Sequence, residues 1–403
     1  MQSRGPEPTA RGAGLRPIAE VFAAFLRLGL TSFGGPLAHI GYFRRELLER
    51  RGWVDEAQYA RLIALCQSLP GPASSQLGFS LGLIRAGWAG GLAAFLGFTM
   101  PSALLLFAFA HAMQRLDSAA GRAFIHGLKL AAVAVVAQAL CAMARRLTPD
   151  TIRALLAIAA AGCILLIRAP LAQLAVIAAG AVLGALCCRA ETIAPGCELP
   201  LPHGVRTGSL LLALFAALLG AAWLASGSSL WSLAAAFYRS GALVFGGGHV
   251  VLPLLRQQVV APGWVDANDF LAGYGAAQAI PGPLFSIAAF LGARAHGLES
   301  PLAGSIIALL AIFLPGLLLT AGTLPFVSRG ITRPRAGAAL AGVNAAVVGL
   351  LAAALYDPVW TTSVRTPADA AIALLGFAVL ASARVSVLIV LALCLLAAQL
   401  ENL

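Results

Sequence analysis

The stretch "QSLPGP", Gln67 to Pro72, decides how the chain is read, and it has a twin, "QAIPGP", Gln278 to Pro283. Each sits in an apolar run long enough to cross a membrane. Proline removes a backbone N–H and obstructs the carbonyl four residues earlier, so Pro-Gly-Pro ends one helix and can begin another. Unpaired N–H and C=O groups at such a break are not tolerated against lipid, only where protein or a polar cavity meets them. Two related breaks therefore predict helices interrupted deep inside a membrane protein.

The composition agrees. Of 403 residues, 60% are hydrophobic and 11% charged, against roughly 25% charged in soluble domains. Apolar runs near 20 residues recur along the chain, and alternating strand patterns are absent. The fold class is an all-α integral membrane protein. The first 17 residues are polar, with Gly and Pro, and read as a disordered tail without an apolar signal segment. The net charge of +11 comes from arginines plus Lys129. Positive-inside loops and anionic lipid account for it, and an anionic substrate adds to that reading. No basic run with interleaved aromatics points to nucleic acid. The seven cysteines form no C-x-x-C or Cys/His spacing, so neither disulfide nor metal is expected. No cofactor fingerprint is present.

The halves repeat one another. "FLRLGLTSFGG" (Phe25 to Gly35) matches "FYRSGALVFGG" (Phe237 to Gly247), pairing Arg27 with Arg239 and Phe33-Gly34-Gly35 with Phe245-Gly246-Gly247. "GWVD" follows in both (Gly52 and Gly263), then the Pro-Gly-Pro motifs, then Pro101 and Pro315. Repeats of this kind mark transporters with a central site between two halves. A duplicated scaffold whose motifs only pack is the alternative. The reading is a tail at 1–17, a first repeat at 18–188, a linker loop and helix at 189–229, and a second repeat at 230–403. It gives about thirteen membrane segments, six or so per repeat plus the linker helix. If every segment crosses, the odd linker helix inverts the halves. If the Pro-Gly-Pro segments are instead re-entrant hairpins, the repeats become parallel. The Lys and Arg distribution does not choose, and inversion is preferred because it explains the linker helix.

Pro72 and Pro283 suit the first turn of the following half-helix. Its N-terminus offers free N–H donors and a partial positive charge, which makes an anion site. The candidate site is therefore Gln67, Pro70, Gly71, Pro72, Ser74 and Ser75 with Gln278, Pro281, Gly282, Pro283 and Ser286. Phe33, Gly34, Gly35, Phe245, Gly246 and Gly247 join them, because glycine clusters permit unwinding; close helix packing is the alternative. Arg27 and Arg239 suit a tetrahedral oxyanion, or snorkel to an interface. His249, His39 and Lys129 are the candidates for proton coupling. Acidic residues are nearly absent from segment centres, so a carboxylate sodium site has no supply. "GFSLG" (Gly78 to Gly82) fits a hydrolase motif formally but falls inside a helix, and Leu291 replaces Ser80 in the repeat.

The stretch from Phe25 to Pro72, with "FGGGHVVLPLL", "GWVD" and "AAQAIPGP" in the second half, resembles the chromate ion transporter family in its long, two-domain form. The resemblance implies a bacterial inner-membrane carrier that expels chromate by alternating access, with inverted halves and a link to sulfate. Coupling to protons or a counter-anion is expected of such a carrier, with the coupling ion left open. The expected partners are chromate, sulfate as a second oxyanion, and membrane lipid, with a homodimer left open. An oxyanion channel, or a sulfate carrier, is the competing reading.

Overall fold

The computed structural model describes residues 15–115, 118–167, 172–188, 199–227, 229–245, 251–329, 334–382 and 385–400. Of the expectations above, residues 1–14, loop residues 189–198, Gly246, Gly247 and His249 lie outside this set.

Helix α1 (Leu15–Thr31) stops where Gly34 and Gly35 take φ of 100° and 76°, and the chain turns into α2 (Gly35–Phe43) and a π-helical turn, Arg44–Arg50. Asp55 of the first "GWVD" opens α3 (Glu56–Ser68) with a reciprocal cap. Its carboxylate accepts from the Gln58 amide at 2.7 Å while Gln58 Oε1 accepts from the Asp55 amide at 3.1 Å. The Pro-Gly-Pro break follows, then α4 (Ala73–Ala112). Non-helical angles at Ala86 and Gly87 divide α4 into a short arm, 73–85, and a long arm, 88–112. Next come α5 (Ala119–Leu147), α6 (Thr151–Leu166), α7 (Ala172–Cys187) and the linker helix α8 (Val205–Trp223).

The second half repeats the order. It runs α9 (Leu230–Leu243), α10 (Val251–Leu255) with a π turn at Arg256–Val260, and α11 (Ala267–Ala279). After the second break a 3-10 turn at Leu284–Ser286 leads into α12 (Ile287–Ala293), then α13 (Pro301–Ser328). The chain closes with α14 (Pro334–Ala354), a π turn, α15 (Thr361–Ser363), α16 (Pro367–Ser382) and α17 (Val387–Leu400). Thus α12 and α13 correspond to the two arms of α4. In both halves glycines let the arms fold tightly together: a methyl on Gly82 would lie 2.4 Å from the Gly90 carbonyl, and one on Gly292 2.2 Å from that of Gly304.

The broken segments do not cross. Each folds back. Arg294, just past α12, binds Asp269 at the start of α11 through Nε (2.8 Å) and Nη2 (2.6 Å). A broken but crossing helix would hold those residues roughly 35 Å apart at 1.5 Å per residue. In the first half Arg85, ending the short arm, stands 5.8 Å from the Trp53 ring that precedes α3. Both meet Glu20 of α1, Arg85 at 2.8 Å and Trp53 Nε1 at 3.3 Å, and Arg51 joins at 3.4 Å. So α1–α2 is itself a hairpin, and α9–α10 is its counterpart, closed by Arg239 Nε donating to Gln258 Oε1 at 3.0 Å. The sequence leaves open whether the Pro-Gly-Pro segments cross or re-enter; here they re-enter, and so do the Phe-Gly-Gly segments, against the expectation that they cross. Together the two settle the parity. Re-entry of the Pro-Gly-Pro pair alone would make the repeats parallel, but the Phe-Gly-Gly pair re-enters too, and the halves are inverted. The first pair of hairpins opens at the face where α13 ends, with Arg61 donating to the Val327 carbonyl. The second opens where α13 begins.

Crossing is left to the long arm of α4 and to α5, α6, α7, α8, α13, α14, α16 and α17. Five described helices are at least 18 residues long and apolar enough to cross a membrane, namely α4, α5, α8, α13 and the run Gly337–Ser363. With 14 to 16 residues each, α6, α7, α16 and α17 span roughly 21–24 Å, which suits a locally thinned bilayer.

Burial divides the molecule unevenly. One apolar core gathers α1–α4 with the end of α13; it includes Phe25, Phe43, Tyr59 and Phe98. The other joins the second-half hairpins to α5, α14, α16 and α17, and includes Phe270, Tyr274, Phe285, Leu128 and Val347.

Candidate functional site

The Pro-Gly-Pro tips of both halves meet the Phe-Gly-Gly turn of the first half and the end of α9, tied across the halves by two repeat-related main-chain bonds. The Gly71 amide donates to the Val244 carbonyl at 2.7 Å, and the Gly282 amide donates to the Ser32 carbonyl at 3.0 Å. Each Pro-Gly-Pro tip therefore caps the Phe-Gly-Gly break of the other half. Glycine is required at both positions. Gly71 has φ 119° and Gly282 φ 107°, and a methyl would lie 3.0 Å from Gly316 Cα in the first case and 2.9 Å from Ser102 Oγ in the second. Ser102 and Gly316 follow Pro101 and Pro315, so these contacts are also repeat-related.

Polar side chains fill the crossing. Gln76 is fully buried, and its Nε2 donates to the Pro70 carbonyl at 2.8 Å and the Gly316 carbonyl at 3.2 Å. The Ser102 and Ser286 hydroxyls lie 2.7 Å apart, both buried. His39, also buried, donates from Nε2 to the same Ser32 carbonyl at 3.2 Å and stands edge-on to Phe98 at 5.1 Å. Among the described residues no partner meets the buried Ser32, Ser75 and Thr99 hydroxyls, Gln76 Oε1, Gln278 Nε2 or His39 Nδ1. Buried polar atoms are normally satisfied, so this concentration makes the crossing the candidate site.

The predicted site residues distribute as follows. Phe33, Gly34, Gly35, Phe245, Pro70, Gly71, Pro72, Pro281, Gly282, Pro283 and Ser286 come together at the tips. Ser74 and Ser75 occupy the first turn of α4. Pro72 and Pro283 stand one residue earlier than expected, at the N-cap rather than inside the first turn (φ −77° and −72°). Gln67 leaves the break and accepts from Arg146 Nη2 at 2.7 Å. The two arginines do not converge. Arg27 points outward from the exposed face of α1. Arg239 reaches along α9 to α8, with Nη1 donating to the Ala222 carbonyl at 2.6 Å and its guanidinium 5.3 Å from the Trp223 ring. This is the geometry of a cation drawn toward an interface. Lys129 is buried away from the tips, with Nζ on Asn268 Oδ1 at 2.8 Å. Of the described coupling candidates, only His39 touches the crossing. Ser80 donates to the Gln76 carbonyl within α4 and is no exposed nucleophile.

Sequence reasoning missed Gln76, Thr99, Ser102, Gly316 and Arg146. Gln76 carries no repeat signal, because Ile287 stands in its place. Ser102 and Gly316 were readable from their position beside the matched prolines.

Inverted halves, re-entrant hairpins with facing tips and a buried polar crossing define a multi-pass membrane protein of the transporter class. The chain belongs to the chromate transporter family, whose model matches residues 19–185 and 231–399, one repeat each. It is 30% identical to a chromate transport protein of Pseudomonas aeruginosa over 86% of this chain and 82% of that protein. It is 30% identical to a probable chromate transport protein of Synechococcus elongatus over 82% of each, and 28% identical to a chromate transport protein of Cupriavidus metallidurans over 87% and 86%. No solved structure matches. Family membership and the apolar helices make this a multi-pass bacterial membrane protein, for which the inner membrane is the usual place.

Proposed function

We propose that this chain is a secondary carrier that exports chromate, with sulfate as a second oxyanion, from a site at the hairpin crossing. The observation that carries the reading is the pair of inter-half bonds, Gly71 to Val244 and Gly282 to Ser32. They place two broken helices tip to tip, where the N-terminus of α4 directs its first amides and the Ser74 and Ser75 hydroxyls at the crossing. Those groups replace part of an oxyanion's hydration, and the helix dipole favours its charge. The relatives' names make chromate the first substrate to test. Sulfate has the same charge and tetrahedral shape.

The buried, interlocked crossing favours a carrier over a channel, since a pore needs a continuous wet path. His39 is the favoured coupling group. Its Nε2 shares the Ser32 carbonyl with the Gly282 amide, so a proton on Nδ1 adds a charge at the crossing itself.

Orientation follows from the arginines. Arg44, Arg45, Arg50, Arg51, Arg145, Arg153, Arg206 and Arg329 belong to the chain ends and turns on the side where the first-half hairpins open. Arg115, Arg122, Arg256, Arg294 and Arg365 lie at the other. The positive-inside rule assigns the richer face to the cytoplasm.

The test is uptake into proteoliposomes of chromate and of sulfate, with and without an imposed pH gradient. A carrier shows saturable uptake of both anions, mutual competition and dependence on the gradient. Current without proton or counter-anion stoichiometry favours the channel, and no chromate uptake rejects the assignment.

A further inference from the structure

Two hairpin legs related by the repeat sit in opposite surroundings. In α11, Leu271 and Tyr274 are fully buried, and Gly275 presses on α5 so closely that a methyl there would lie 2.5 Å from the Leu128 carbonyl. The equivalent positions of α3 are Ala60, Ile63 and Ala64. Ala60 is exposed, and Ile63, Ala64 and Gln67 are half-buried. The core memberships agree: α11 shares one apolar core with α5 and α14, whereas α3 belongs to a core that contains neither. The second-half hairpins are thus docked on the α5–α14 bundle, and the first-half hairpins stand off from it. Across that gap a charged side chain is already present. Arg146, exposed near the end of α5, donates from Nη2 to Gln67 of the Gln-x-x-Pro-Gly-Pro motif at 2.7 Å. A guanidinium and an amide facing each other give this side of α3 a polar neighbour, where the repeat-related side of α11 has an apolar one.

We infer that the exposed side of α3 lines an access cleft open to the arginine-rich face, and that Arg146 is a substrate-contacting residue within it. A tetrahedral dianion entering the cleft displaces the neutral Gln67 from Arg146, because a charge-assisted pair with an oxyanion outcompetes a neutral amide. It then moves the remaining four residues to the Pro-Gly-Pro tip. The assignment rests on the oxyanion-carrier reading for the role of Arg146, but the cleft itself does not.

The experiment has two arms. Single cysteines at Ala60, Ala64 and Leu271 are introduced into full-length protein that keeps only the buried native Cys66 and Cys394. Without any oxyanion present, they are exposed to a membrane-impermeant maleimide from each side in turn. Ala60→Cys and Ala64→Cys are expected to react at least about tenfold faster than Leu271→Cys, and only from the arginine-rich face. Equal rates, or reaction from the other face, overturn the cleft. In the second arm, chromate transport is measured for Arg146→Gln and Arg146→Lys. The Gln variant is expected to raise the half-saturating concentration about tenfold with the maximal rate nearly kept, and Lys to recover most of the loss. An unchanged half-saturating concentration in Arg146→Gln, or a Lys variant no better than Gln, removes Arg146 from the path. If the parent carries no chromate, the proposed function fails while the labelling still decides the cleft. If Arg146→Gln does not fold, the labelling arm and the Lys variant decide.

Discussion

Replacing Gly71 by alanine tests the crossing with a single methyl. Gly71 has φ 119°, a conformation that costs a non-glycine residue about 1–3 kcal/mol. The methyl would also lie 2.9 Å from Gln76 Nε2 and 3.0 Å from Gly316 Cα. The amide can swing aside; the Gly316 backbone, fixed within α13, cannot, and forced contacts of this kind cost about 1–3 kcal/mol more. The tip must therefore retreat, and the Gly71 to Val244 bond is the first interaction lost. Gly52→Ala is the control. Gly52 also has positive φ, 59°, but nothing lies within 4 Å of the added methyl, so it bears only the left-handed cost, roughly 1–2 kcal/mol. The assay is chromate uptake into everted vesicles, normalised to folded protein by size exclusion, alongside the Tm of the purified protein. Gly71→Ala is expected to lose at least about tenfold in uptake while staying folded, equivalent to 1.4 kcal/mol or more, and Gly52→Ala to transport like the parent. Parental uptake by Gly71→Ala would refute the claim that the close approach of the tips matters to transport.

Other expectations follow from the same geometry. Gly275→Ala places a methyl against the Leu128 carbonyl and should prise α11 from α5, which the maleimide rate at Leu271→Cys would register as an increase. Gln76→Leu strips a donor from the Pro70 and Gly316 carbonyls, an unsatisfied-group cost of about 1–3 kcal/mol visible as a lower Tm. Arg239→Ala, losing Gln258, the Ala222 carbonyl and the Trp223 face, should lower the Tm, whereas Arg27→Ala, on an exposed face, should leave it unchanged. Excess sulfate is expected to slow chromate uptake by the parent, measured as competition in the same vesicles.

The repeat and the helix breaks were legible because backbone chemistry is written locally. Pro-Gly-Pro cannot continue a helix, and Gly34-Gly35 adopts the positive φ that its residues allow. The "GWVD" match reads only as a mark of the repeat, yet in the first half its Asp55 caps α3. Whether a broken segment crosses or returns is not local. It depends on pairs such as Arg294 with Asp269 and Arg85 with Glu20, whose members are 25 and 65 residues apart. Arg27 and Arg239 were read as one pair because they align, yet Arg27 faces outward and Arg239 is held by α8, an element without a repeat partner. Gln76 escaped notice for the converse reason: the repeat gives it no counterpart, and its role comes from Gly316 on another helix.

The central claim is that an oxyanion is held at the crossing by the first turn of α4. Equilibrium binding of radiolabelled sulfate or chromate to the purified parent and to a Ser74→Ala, Ser75→Ala double variant tests it most directly. Saturable binding to the parent is expected, with a dissociation constant raised about tenfold or more in the variant and the Tm little changed. Equal affinity in the two proteins would contradict it.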